Sequence, residues 1–181
     1  MKPGTILIVI MAVWNGMVTA ATGERVIHAE VIVDAPIEQV WKAWTTEAGV
    51  KSFFAPGCKI DTCVDGAYEI YFLPDAPAGS RGGDGNRIMV LEPPRYLAFT
   101  WNAPPHMPWA RSQRTQVMIF LTSTRDGKTL VELIHGGWGR SEAWDNVYAY
   151  FDKAWKSIVL PNLQHSFRIG PIDWEHPPEK R

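Results

Sequence analysis

The sequence predicts an α+β fold in which a curved antiparallel sheet of about seven strands is closed by one long C-terminal helix, with two short helices after the first strand. Three observations lead there. Apolar-alternating runs follow one another across short turn signals, so neighbouring strands pair as hairpins and the sheet is antiparallel. One segment alone, 141–160, carries a long stripe of helical period. The remaining helical patterns are short and come directly after the first strand.

The first strand is read at Arg25–Val33 and ends at Asp34-Ala35-Pro36, where proline suits the opening of a helix. Val40, Trp41 and Trp44 then make a short apolar stripe, and a second short helix covers Glu47 to Phe54 with Phe53 and Phe54 turned inward. Lys59–Val64 and Ala67–Leu73 read as strands joined by the two-residue turn Asp65-Gly66. Pro74–Asn86 is rich in glycine and proline and lacks an apolar run, which predicts a mobile loop. Strands at Arg87–Glu92 and Tyr96–Trp101 flank Pro93-Pro94-Arg95, and Ala103–Gln113 reads as a second loop. Thr115–Thr124 and Thr129–His135 form the last hairpin.

Ser141 is placed to cap the long helix, with Glu142 in its first turn. Trp144, Val147, Tyr148, Phe151, Trp155, Ile158 and Val159 form its apolar stripe. Pro161 lacks a backbone donor and is expected to kink the helix or end it near Leu160. The domain is thus read as 21–167, with 168–181 a loose tail.

The chain has 181 residues and a formal net charge of -1, with no basic stripe, so nothing recruits nucleic acid. Residues 1–20 read as an export signal: Lys2, the apolar run Ile6–Val13, then small Val18 and Ala20 ahead of a cleavage point. That predicts a periplasmic or secreted protein with no membrane span once the signal is removed. Cys58 and Cys63, if both lie on one strand, are roughly 16 Å apart, beyond bridging distance. Two buried or half-buried free thiols are expected.

Landmarks in this order resemble a known family: Asp34-Ala35-Pro36 with Val40-Trp41, Asp65-Gly66, Pro93-Pro94-Arg95-Tyr96-Leu97 with Phe99-Thr100-Trp101, His135-Gly136-Gly137, and Trp155. The chain is similar to the SRPBCC (START-like) superfamily, and more narrowly to the domain at the C-terminus of the heat-shock-protein-90 ATPase activator. The resemblance implies a helix-grip fold with a hydrophobic cavity between sheet and helix. It also implies binding of lipids, sterols or other apolar ligands, with catalysis in some members.

Period-2 alternation puts Leu97, Phe99 and Trp101 on one face, with Val117, Ile119, Leu133 and His135. Together with Tyr148, Phe151 and Trp155 from the helix, these ten are the expected ligand-binding residues; a filled core is the competing reading. His135 could orient a ligand or act as acid/base, or it could simply secure the strand-to-helix corner. Ala78-Gly79-Ser80-Arg81-Gly82 mimics a nucleophile elbow but lacks the strand-turn-helix setting that such a serine needs. The histidines are scattered and the two cysteines have no second pair, so neither a metal nor another cofactor is expected. The leading expectation is a non-enzymatic, exported protein that holds a small apolar or aromatic molecule. The alternatives are a cavity enzyme that uses His135 on an aromatic or polyketide-like substrate, or a co-chaperone-like interaction module.

Overall fold

A computed structural model describes residues 25–177, and the leader expected at 1–20 lies outside them. In chain order the elements are β1 (Ile27–Val33), α1 (Ile37–Thr45), α2 (Glu47–Phe53), β2 (Gly57–Ile60), β3 (Tyr68–Tyr71), β4 (Ile88–Glu92) and β5 (Tyr96–Trp101). Next come α3 (Pro108–Arg111), β6 (Thr115–Ser123), β7 (Thr129–Gly136) and α4 (Glu142–Ala154). A π turn at Trp155–Val159 leads without a break into α5 (Leu160–Arg168).

Five strands form an antiparallel sheet in the order β1-β7-β6-β5-β4, while β2 and β3 pair separately. Single bridges, Ala67 with Arg87 and Tyr71 with Gly82, join the small sheet to the large one. The register aligns Val117 with His135, Ile119 with Leu133 and Leu121 with Val131, which gathers these side chains on one face. The long helix covers that face with buried Trp144, Val147, Phe151 and Trp155. Each such side chain removed from water contributes on the order of 1.5–3 kcal/mol. Ser141 caps α4 as its sequence position suggests, its hydroxyl accepting from Trp144 N–H.

Four local expectations need correction. The helix does not stop at Leu160. A π turn directly before Pro161 lets Leu160 N–H reach back to Trp155 O, and helical structure continues to Arg168. The strands beside Asp65-Gly66 are shorter than expected, and residues 61–67 form a longer turn with Asp65 at φ 63. Cys63 falls in that turn and is exposed, while Cys58 is half-buried; both are free. Finally, the segment after Arg168 docks on α2: Ile172 is buried with its N–H donating to Ser52 O, and Trp174 Nε1 donates to Lys51 O.

The glycine-rich loop at 74–86 is held from within. The Asp84 carboxylate accepts from the backbone N–H groups of Gly79, Arg81 and Gly82 and from Arg81 Nε at 2.8 Å. Arg111 of α3 bonds the same carboxylate and the carbonyls of Gly79, Gly82 and Ala103, which fastens the loop to residues 102–113. Composition correctly marked the segment as irregular, but low hydrophobicity says nothing about a buried carboxylate that gathers its donors.

Burial alone would push the Asp84 carboxyl up, yet the hydrogen bonds from Arg81, Gly79 and Gly82 outweigh it and hold the group below the ordinary carboxylate range. Its contribution to stability is therefore complete above about pH 4 and is lost as pH falls through the lower native value. Asp84→Ala leaves Arg111 without its carboxylate and is expected to cost about 3 kcal/mol, or roughly 6–12 °C in Tm. Differential scanning calorimetry at neutral pH checks this; a Tm within 2 °C or so of wild type would show that the loop does not depend on the clasp.

Candidate functional site

The space between sheet and helix is built around Phe54, the residue that follows α2. Its ring stacks on Trp101 at 5.7 Å and meets Trp155 edge-on at 5.6 Å, Trp44 at 5.8 Å and Phe72 at 6.0 Å. Phe99 meets Trp101 edge-on at 5.7 Å and stacks on Tyr68 at 4.2 Å. Each of these contacts lies in the range where aromatic pairs attract beyond simple area burial. Two indole N–H groups in this cluster, Trp44 Nε1 and Trp101 Nε1, are buried without an acceptor among the described residues. Both belong to rings that touch Phe54.

Of the ten residues expected to line the interior, nine are there: Leu97, Phe99, Trp101, Val117, Ile119, Leu133, His135, Phe151 and Trp155 are all buried. Tyr148 is the exception. It sits at the outer margin, its hydroxyl donating to Val26 O and its ring beneath the Arg25 guanidinium. One turn of helix carries Tyr148 past the edge of the sheet, and the stripe drawn from sequence was too wide to reveal it. Within the core these side chains spend their surface on one another.

His135 is fully engaged. Its Nδ1 accepts from Trp155 Nε1 at 2.9 Å, and its Nε2 pairs with Thr115 Oγ1 at 2.8 Å. The Thr115 hydroxyl also bonds Trp101 O. With Nδ1 accepting, the neutral ring carries its proton on Nε2 and donates to Thr115. Trp138 packs on the imidazole at 4.2 Å and donates Nε1–H to His135 O, while Phe151 closes the other side. Burial lowers the His135 pKa to about 3, so the ring stays neutral at physiological pH. In this structure both ring nitrogens are hydrogen-bonded within the core, so His135 ties β7 to β6 and to the long helix as a neutral group. Next to it, Gly137 adopts φ +85 and turns the chain from β7 toward α4.

Sequence reasoning missed the partners rather than the histidine. Thr115 begins β6 and meets His135 only through the register of two strands. Trp44 is legible as part of the α1 apolar stripe, but the bond from Tyr68 OH to Trp44 O joins elements 24 residues apart. Outside the interior, the fold assembles what looked scattered: ligand atoms of His28, Glu30 and Glu132 lie within 4.8 Å of one another on the outer face of β1 and β7.

Residues 34–167 match the family described as activator of Hsp90 ATPase homolog 1-like protein. The chain belongs to that family. Solved structures of the activator-like fold agree in shape at low identity. The Aha1 dimer from Colwellia psychrerythraea matches with a TM-score of 0.62 and 18% identity over 81% of this chain and 98% of that one. CalU16 from Micromonospora echinospora gives 0.61 and 22% over 83% and 78%. An HSP90 activator from Plasmodium falciparum gives 0.59 and 16% over 78% and 94%. These likenesses establish the helix-grip, SRPBCC-type fold. No curated protein sequence matches the chain. Among the described residues, no helix is long and apolar enough to cross a membrane.

Proposed function

We propose that this activator-like domain is an exported binding protein that takes up a flat, largely apolar molecule with one hydrogen-bond acceptor between sheet and helix. The observation that carries this reading is the pair of indole donors without an acceptor among the described residues, Trp44 Nε1 and Trp101 Nε1, both on rings that touch Phe54. A buried N–H without an acceptor costs about 1–3 kcal/mol, a penalty that a ligand carbonyl in the same place would remove. The core is filled in this structure, so the ligand takes the position of the Phe54 ring. Phe54 heads the short connection 54–56 between α2 and β2 and can swing without breaking a strand pairing.

Intrinsic tryptophan fluorescence, titrated with 2-acetonaphthone and with 2-ethylnaphthalene, tests this. The two probes share a shape and differ in the carbonyl. Phe54→Ala is expected to bind both saturably, with the ketone about tenfold tighter, equivalent to one hydrogen bond. No saturable binding to either wild type or F54A would sink the proposal. A mass spectrum of protein from its own cells checks the export arm: the expected chain begins at Ala21, and an intact Met1 terminus would count against a cleaved signal.

The HSP90-activator relatives suggest a second reading, a protein-interaction module. Trp109, exposed at 53% on the outside of α3, would suit it. Export would separate such a module from a cytosolic chaperone, so an intact leader together with capture of an ATPase would favour it.

A further inference from the structure

Strand β1 lies at the open edge of the five-stranded sheet, and its edge is only partly covered. The Tyr148 hydroxyl donates to Val26 O at 3.0 Å and Gln164 Nε2 donates to Ile32 O at 2.9 Å. Those carbonyls therefore point away from β7. Backbone direction alternates along a strand, so the N–H and C=O groups of His28 and Glu30 point the same way, out of the sheet. Side chains on the helix cap the two ends of the edge, and among the described residues no side chain is hydrogen-bonded to the backbone of His28 or Glu30 at its centre. A groove of about 560 Å³ lies beside that centre, between His28–Val31 and Lys156, Leu160, Pro161 and Gln164.

Side chains on the outer face add an unbalanced charge. Glu30 lies directly opposite Glu132 in the β1–β7 register, an arrangement that is destabilising for like charges. His28 is 3.8 Å from Glu132, and Glu30 has no ion-pair partner among the described residues. Val26 and Ile32 on the same face are exposed at 41% and 52%.

We propose that a second copy of this chain docks on β1, edge to edge and antiparallel, about a two-fold axis through Ala29. The strand is self-complementary in that register alone. His28 faces Glu30 of the other copy, and Glu30 faces its His28. The pairing is confined to residues 28–30, since Tyr148 and Gln164 occupy the carbonyls of Val26 and Ile32 at either end. His28 and Glu30 both direct their backbone groups outward, so each His28–Glu30 pair exchanges two N–H···O bonds and the two copies share one continuous sheet. Each Glu30 then lies opposite an imidazole of the other copy as well as opposite Glu132 of its own chain. A register shifted by two residues sets Glu30 against Glu30 and loses that match.

Sedimentation equilibrium of the full chain over a wide concentration range at low salt, with and without EDTA, is the test. The expected result is a reversible monomer–dimer equilibrium that EDTA leaves unchanged. His28→Glu places carboxylates opposite one another at both ends of the pairing and is expected to weaken the dimer at least tenfold, about 1.4 kcal/mol. The charge-exchanged double variant, His28→Glu with Glu30→His, rebuilds both pairs and is expected to recover it. Both positions are on the exposed face, and circular dichroism verifies that the variants fold. A chain that remains monomeric at every concentration overturns the proposal. So does a dimer indifferent to H28E, or a double variant as weak as the single one. A dimer that EDTA dissolves would also overturn it, since a cation held by His28, Glu30 and Glu132 would then be the link.

Discussion

Trp155→Ala is expected to destabilise the protein by about 5 kcal/mol, the largest effect of any single change considered. Two costs combine. The indole is 1% exposed and packs against Phe54, Trp101 and His135, so its removal leaves a cavity that the surrounding rings cannot fill from a rigid sheet. It also strips the donor from His135 Nδ1 and orphans a buried acceptor. A loss of that size rivals the whole stability of an ordinary domain, so Trp155→Ala can fail to accumulate at all. Trp155→Phe keeps most of the volume and removes the donor, with an expected loss of about 2 kcal/mol. Urea unfolding of Trp155→Phe, His135→Leu and the double variant forms a cycle that isolates the hydrogen bond. Additive losses would mean that the indole–imidazole bond contributes nothing of its own.

The second large effect is a dependence on acid. His135 is neutral in the folded state down to about pH 3, whereas an unfolded histidine takes up a proton near pH 6.5. Its folded pKa lies below the unfolded one, so this group costs nothing above about pH 6.5. Below that, unfolding gains a proton and stability falls with decreasing pH by about 1.4 kcal/mol per unit until the native group also titrates near 3. Between pH 6.5 and 4.5 the expected loss is therefore roughly 2–3 kcal/mol from this one ring. Unfolding free energies measured across that range for wild type and His135→Leu separate it from the carboxylates, which are common to both. The variant is expected to show a slope shallower by one proton. Equal slopes would mean that the ring finds a proton without unfolding.

Element order, the α4 stripe, the Ser141 cap and nine of the interior residues were legible because each follows from a local period or a local cap. What escaped depends on distant partners. Thr115 completes the His135 network from another strand, and Asp84 orders its loop by collecting donors from Arg81 and from Arg111 on α3. Tyr148 carries the right spacing and still points to the margin, since an apolar stripe on a helix cannot tell a packed ring from one that overhangs the sheet. His135 was recognisable as an inward polar residue, but its low pKa required knowledge of what surrounds it. Both nitrogens of that ring are hydrogen-bonded, to Thr115 and Trp155, and the residue links sheet and helix.

The wide turn at Trp155–Val159 and the proline after it can be considered as heredity rather than as geometry. A π turn takes one residue more than an α turn to make the same revolution, so it behaves like an insertion inside a helix. Trp155 at its start and Leu163 beyond its end are both buried in the core. A descendant that drops one residue from this turn would keep both faces aligned, but it would set Pro161 against a regular helical turn it cannot join. The extra residue and the proline therefore belong together: the wide turn lets the helix run on past Pro161 without its missing donor breaking it.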